Sequence, residues 1–212
     1  MDVNSEPAGQ GGATRSAKAE QSEATRSQLV AVARNLFAQR GYAAVGTEEI
    51  VRTAGVTRGA LYHHFKDKKD LFAAVYEAVE AELVVQIAAA AVSESENSLQ
   101  ALHAGAQAFL DACQSNPAVQ RIALLDAPSV LGWEQWRAVG MRYGFGLIQA
   151  TVQEAMDAGL IDKQDVRSIS HLLLGALDEG AMLVARAEDA GDTRRQVGQS
   201  MTRLLESLGP RS

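Results

Sequence analysis

The 212-residue sequence predicts an all-α protein of about nine helices. Its composition leans on Ala, Leu, Gln, Glu and Arg, residues that lose little on entering a helix. Apolar residues recur at i, i+4, i+7 and i+8 in one segment after another, the stripe of an amphipathic helix. β-branched and aromatic residues are scattered, and aromatics make up only 5%, so no alternating run suggests a strand. Apolar residues make up 47% and charged residues 22%, which is ordinary globular usage in a chain long enough to bury a sizeable core.

Residues 1–22 are rich in Gly, Ala, Ser, Gln and Glu without apolar periodicity, and they read as a disordered tail. The Gly9–Gly12 cluster has neither the preceding strand nor the following Gly-Lys-Ser/Thr of a phosphate loop. A first helix is expected over about 24–40, with Leu29, Ala33, Leu36 and Phe37 inward and Gly41 as its left-handed cap. Thr47 is the expected N-cap of a second helix. Glu48 and Glu49 sit at its positive end, Ile50, Val51 and Ala54 face inward, and Gly55 stops it. Thr57 caps a third helix running to about Phe65. Asp67 caps a long fourth one, with Asp70 at the reciprocal position and Leu71, Phe72, Val75, Val79, Leu83 and Ile87 buried. After the polar break at 93–97, Leu99, Leu102, Ala106, Phe109, Leu110 and Cys113 mark a fifth helix. Asn116-Pro117 opens a shorter one carrying Ile122, Leu124 and Leu125, which Pro128 and Gly132 break. A long helix over about 134–158 ends at Gly159, and two more cover about 166–187 and 193–208. The expected division is a tail (1–22), a three-helix helix-turn-helix domain (23–70) and a helical ligand-binding and dimerisation domain (71–212).

The net charge of −6 hides an asymmetry. Residues 23–70 carry eight Lys/Arg against five Asp/Glu, whereas 71–212 carry ten against eighteen. A basic module on an acidic body is the pattern expected when one end meets phosphate. Cys113 is the only cysteine, so no intrachain disulfide is possible. No secretory leader is evident, and the most apolar long stretch, Leu83 to Val92, is too short to span a bilayer. A cytoplasmic protein with no membrane partner is expected.

Residues 47–65 have the spacing of a helix-turn-helix. Ala54 is small where two helices cross, Gly55 supplies a positive φ, Val56 plugs the corner, and Leu61 and Phe65 anchor the third helix. That packing leaves Gly59, Tyr62 and His63 outward, with Arg58 at the helix start. Arg58 suits bidentate pairing with guanine, Tyr62 a thymine methyl or a phosphate, and Gly59 close backbone approach. Thr47 and Thr57 offer hydroxyls and N–H groups at helix starts, and Lys66, Lys68 and Lys69 add charge beside the groove.

The run Gly55-Val56-Thr57-Arg58-Gly59-Ala60-Leu61-Tyr62-His63-His64-Phe65-Lys66-Asp67-Lys68-Lys69-Asp70-Leu71-Phe72 closely resembles the signature of the TetR family of repressors, as does Ala38-Gln39-Arg40-Gly41-Tyr42 before it. The resemblance covers residues 24–72, about a quarter of the chain. It implies a homodimer that reads a palindromic operator in double-stranded DNA and answers to an unknown small-molecule effector. It places base reading on Arg58, Gly59, Ala60, Tyr62 and His63, and phosphate contacts on Thr47, Thr57, Tyr62, His64 and Lys68. It also makes the last two helices, 166–187 and 193–208, the dimer's four-helix bundle. Residues 169–184 agree, being apolar on nearly all faces, with Gly175, Ala176, Gly180 and Ala181 allowing close approach. The stretch from Leu124 to Arg137 is similar to one subgroup of these regulators.

In the C-terminal part, Trp133, Trp136, Met141, Tyr143, Phe145 and Met182 are candidates for an effector cavity or for plain core packing. His103 and His171 are isolated and suit core, interface or pocket. Asp178-Glu179 lies in the most apolar helix, and a carboxylate there needs a partner: an arginine such as Arg121 or Arg142, a cationic or hydroxylated effector, or a salt bridge at the edge of an interface. His63 and His64 are adjacent on a helix and point apart, so no metal is expected there. Catalytic motifs are absent, Cys113 reads as inert core, and neither a cofactor nor an enzymatic activity is expected. The expected function is transcriptional regulation, as a repressor released by its effector; the alternative is an activator or a non-specific DNA organiser of the same fold.

Overall fold

The computed structural model describes residues 10–210. Its α-helices are α1 (Gln10–Arg40), α2 (Thr47–Ala54), α3 (Arg58–His64), α4 (Lys68–Ser93), α5 (Ser98–Ser115), α6 (Ala127–Leu131), α7 (Trp133–Gly140), α8 (Gly146–Asp157), α9 (Val166–Arg186) and α10 (Ala190–Glu206). Two π-helical segments complete it: π1 (Val119–Asp126) runs into α6, and π2 (Met141–Phe145) joins α7 to α8. Counted as continuous rods, the described residues form nine helices, and the protein is all-α.

Local chemistry sets the boundaries. Asp67, Asn97, Asp165 and Asp189 accept backbone N–H groups from three residues ahead, fixing the starts of α4, α5, α9 and α10. The Asp70 carboxylate returns to the N–H of Lys66, at 3.0 Å, one residue before the expected Asp67. Gly41, Gly55, Gly132 and Gly159 all have positive φ and make the corners.

Several expectations need correction. Residues 10–22 are helical rather than a disordered tail, while 1–9 lie outside the described residues. The stretch continues α1 and contains several good helix formers, but its residues carry no apolar periodicity. Thr47 is the first residue of α2, not its cap; Gly46 holds that position with no side-chain bond. Pro128 does not break its helix but lies in the first turn of α6. In an α-helix its ring would collide with the Leu124 carbonyl and its missing N–H would leave that carbonyl unpaired; the wider π1 turn ahead of it relieves both. The long helix expected over 134–158 contains π2, in a stretch where Gly140, Gly144 and Gly146 weaken the α ladder.

The larger core runs without interruption from Leu29, Phe37, Ile50 and Leu61 through Phe72 and Val75 to Cys113, Ile122 and Trp136, across the boundary expected between 70 and 71. A second core of Leu102, Val152, Met156, Ile161, Leu173, Met201 and Leu205 joins α5, α8, α9 and α10. By length and composition alone α9, rather than the stretch from Leu83 to Val92, is the helix that could cross a membrane. One side of α9 packs against α5, α8 and α10.

Candidate nucleic-acid interface and internal cavity

The α2–α3 corner is built as its sequence implies. Gly55 adopts φ +66°, the Val56 N–H reaches the Val51 carbonyl at 3.0 Å, and Gln28 of α1 donates to the Ala54 carbonyl at 2.7 Å. Leu61 and Phe65 are buried against this frame. Arg58, Gly59, Tyr62 and His63 are therefore exposed together on α3. The Arg58 guanidinium lies 5.5 Å from the Tyr62 ring centroid and 3.7 Å from Glu48. Apart from its own stretch of helix backbone, the nearest atom to where a Gly59 Cβ would sit is the Thr57 hydroxyl at 3.8 Å, so the backbone there is open to approach.

The remaining candidates are less free. Thr57 is exposed, but its hydroxyl accepts the Ala60 N–H at 3.1 Å. Thr47, Ala60 and His64 are half-buried, and the His64 ring packs beside His63 at 5.1 Å. Lys68 points inward. Its ammonium donates to the carbonyls of Tyr42 at 2.8 Å and Val45 at 2.9 Å, and lies 3.9 Å from the Tyr42 ring centroid. Burial lowers its pKa. In this conformation Lys68 ties the α1–α2 corner to the start of α4.

The C-terminal helices enclose a cavity of about 110 Å³. Its wall is mostly apolar and comes from α4, α5, π1, the α7–π2–α8 rod, α9 and α10; both π segments contribute to it. At one end stand Tyr76, Glu80, Arg137 and Asp178. Asp178 pairs with Arg137, not with Arg121 or Arg142, which pair instead with Asp126 and Glu77. Burial pushes the Asp178 carboxyl up to about 6, against the pull of Arg137. Burial, then repulsion from Asp178, pushes Glu80 up to about 7, and the Tyr76 hydroxyl opposes the shift. That hydroxyl donates to the Trp136 carbonyl at 3.2 Å. Burial raises the Cys113 thiol far above neutrality, which leaves it protonated.

Of the nine cavity candidates, the wall includes Trp136 and Asp178. Tyr143 and Met182 pack on the outside of the larger core. Trp133 is 65% exposed, with its ring 5.1 Å from that of Trp136. Phe145 stacks on His171 at 4.4 Å, Met141 lies in π2, and His103 is partly buried near Glu206. Met141, Tyr143 and Phe145 fall outside because π2 shifts the register of its rod, so that Gly140 and Gly144 meet the cavity instead; Trp133, His103, His171 and Met182 lie on other stretches of helix and face away from it. Glu80, Arg137 and Tyr76 were not singled out in the sequence; the signal was the charge of Glu80 inside the apolar stripe of α4.

A polar junction links cavity and corner. The Tyr42 N–H donates to Asp126 at 2.7 Å, and Arg121 lies 3.7 Å from the same carboxylate. Arg121 also packs on Gly41 so closely that a Cβ there would lie 2.5 Å from its guanidinium. Both residues belong to π1, whose Val119, Ala123 and Leu124 line the cavity.

Residues 29–75 match the family described as bacterial regulatory proteins, tetR family, and 99–208 match the tetracyclin repressor-like C-terminal domain. The transposon Tn10 TetC protein of Escherichia coli is 28% identical over 176 residues, covering 82% of this chain and 87% of that protein. The crystal structure of a TetR-family transcriptional regulator from Pectobacterium atrosepticum is 32% identical, with a TM-score of 0.81 over 91% of this chain and 97% of that one. RolR, solved in complex with resorcinol, shares the fold at a TM-score of 0.70 and 18% identity, over 92% of this chain and 97% of its own. With both halves matched in order, the chain belongs to the TetR family of DNA-binding transcriptional regulators.

Proposed function

We propose that the protein is a repressor that binds a palindromic operator as a homodimer and leaves it when a small molecule enters the C-terminal cavity. The observation that carries this reading is that two walls of the cavity also hold the α1–α2 corner, which leads into the helix-turn-helix. α4 lines the cavity through Glu80, Leu83 and Ile87 and grips the corner through Lys68. π1 lines it through Val119 and Ala123 and grips the corner through Asp126. A ligand that fits the cavity in only one arrangement of these walls shifts the protein toward that arrangement. Resorcinol in RolR is a precedent within the fold for a small ligand.

Arg58, Gly59, Tyr62 and His63 form the base-reading face, and backbone N–H groups at helix starts with nearby lysines meet phosphate. The dimer forms through α9 and α10, whose outward Leu172, Leu183 and Leu204 are exposed.

The test is to select binding sites from randomised duplex DNA with the full chain and footprint the winners. One short palindrome with half-sites about 34–36 Å apart, or a multiple, is expected. Even coverage of any duplex would mean a non-specific organiser. Small molecules that raise the melting temperature are then added to the operator complex, and release is the expected result. Ligands that bind without changing operator affinity overturn the effector-gated reading, and a reporter that rises with the bound protein overturns repression.

A further inference from the structure

We propose that the cavity takes a hydrophobic monocation, with its charged nitrogen beside Glu80 and its apolar body along α4, α5 and α8. This inference rests on the effector-gated reading and names the ligand's chemistry.

The charge balance at the polar end carries it. The titratable and charged groups around Glu80 are Tyr76 on α4, Cys113 on α5, Arg137 on α7 and Asp178 on α9. Cys113 and Tyr76 are held neutral. Arg137 is committed to Asp178, with which it makes an ion pair. Arg137 therefore serves Asp178, and among the described residues no cation pairs with Glu80, whose carboxylate is favoured by the Tyr76 hydroxyl. A carboxylate in an apolar wall is costly unless paired, and the group responds by holding its proton to near neutrality. A ligand hydroxyl could hydrogen-bond there but would leave the charge uncompensated. A ligand ammonium supplies both the charge and the N–H donors.

The rest of the cavity suits the remainder of such a molecule. Leu83, Ile87, Leu102, Phe109 and Ile148 offer apolar contact, and the wall also includes the aromatic side chains of Tyr76 and Trp136, residue types whose ring faces attract a cation. The volume, about 110 Å³, is several times the roughly 10–15 Å³ that one water needs.

Three probes of one shape separate the possibilities: 4-phenylbutylammonium, 4-phenylbutanol and 4-phenylbutanoate, each titrated calorimetrically into the full chain at pH 8. The expected order is ammonium tightest, by about tenfold over the alcohol, with the carboxylate weakest. Glu80→Gln is expected to abolish the ammonium's advantage while leaving alcohol affinity within about threefold, because it keeps the shape and removes only the charge. At pH 7 ammonium binding also releases protons from Glu80, seen as a binding heat that depends on the buffer's ionisation enthalpy. The alcohol lacks that signature. Wild-type selectivity decides the matter even if Glu80→Gln folds poorly. An alcohol or carboxylate that binds as tightly as the ammonium, or selectivity that survives Glu80→Gln, overturns the charge assignment and leaves the effector-gated reading standing. Failure of all three to bind overturns the inference, while the effector-gated reading stands or falls on the operator-release assay.

Discussion

Glu80 and Asp178 make the stability of the folded chain depend on pH in a direction opposite to that of a salt-bridged carboxylate. Their folded values, about 7 and about 6, lie above the ordinary 4.5 and 3.8. As pH rises through that interval the unfolded chain loses protons that the folded chain still holds, so the unfolded state is favoured progressively. The contribution of the pair is thus greatest in acid, declines as pH rises through 7, and is constant beyond. Glu80→Gln removes the larger part of that decline. Urea unfolding should find the variant more stable than wild type at pH 8, by on the order of 1–3 kcal/mol, with the gap closing toward pH 4. A gap independent of pH would mean that Glu80 is not held protonated in the fold. On the proposed base-reading face the residues behave in the opposite way, being exposed and nearly free of structural duty. Arg58 has only a surface contact with Glu48 and the Tyr62 ring as partners. Arg58→Ala and Tyr62→Ala are each expected to weaken specific operator binding by about 1–3 kcal/mol with the melting temperature unchanged. Retained affinity would place the reading face elsewhere.

The corner between α1 and α2 shows how elements share a burden that no single residue reveals. Gly41 and Gly55 have similar positive φ, yet a Cβ at Gly55 meets open space, whereas one at Gly41 meets Arg121 at 2.5 Å. Gly55→Ala should therefore cost only the left-handed backbone penalty, about 1–2 kcal/mol. Gly41→Ala should cost that and also displace Arg121 from Asp126, so its unfolding midpoint falls further; equal losses would show that Arg121 moves aside freely. Both glycines were legible in the sequence as helix stops, and so were the caps at Thr57 and Asp67, because a local pattern sets each of them. What surrounds Gly41 was not legible, since Arg121 lies eighty positions away and only the tertiary fold brings it there. The same distinction explains the cavity. The stripe of α4 was readable, but π1 and π2 were not: a π turn follows from proline and glycine placement within a packed rod, and it shifts by about one residue which side chains face inward. Trp136 precedes π2 and stands in the cavity wall, whereas Tyr143 and Phe145 lie within π2 and do not. The inward turn of Lys68 was hidden for a related reason, because a lysine beside a helix-turn-helix reads as free charge until the carbonyls of Tyr42 and Val45 are seen to occupy it.

Operator recognition by two copies needs a shared base and a path from that base to each corner. For the base, Leu172 and Leu183 on α9 are 69% and 53% exposed, an apolar pair that a second copy would cover. Leu172→Asp with Leu183→Asp is expected to give a monomer in sedimentation that retains the helical circular dichroism and loses palindrome binding. A dimer that survives both changes would move the interface off α9. For the path, the corner is held from two sides, by Lys68 of α4 and by Asp126 of π1, and both elements line the cavity. If both sides transmit, cutting one should weaken the response to ligand without abolishing it. Asp126→Ala removes the acceptor of the Tyr42 N–H and the partner of Arg121, at a cost of about 1–2 kcal/mol in stability. Asp126 is not in the cavity wall, so the variant should bind an effector with wild-type affinity. What should change is the ratio of operator dissociation constants with and without saturating effector. Allosteric coupling of this kind is ordinarily worth about 1–3 kcal/mol, and loss of one of two routes should lower the ratio severalfold. Because coupling between binding sites is reciprocal, the same loss must appear when effector affinity is measured on free protein and on the operator complex. A ratio equal to wild type in both directions would leave α4 as the sole route and reduce the Asp126 junction to a structural tie.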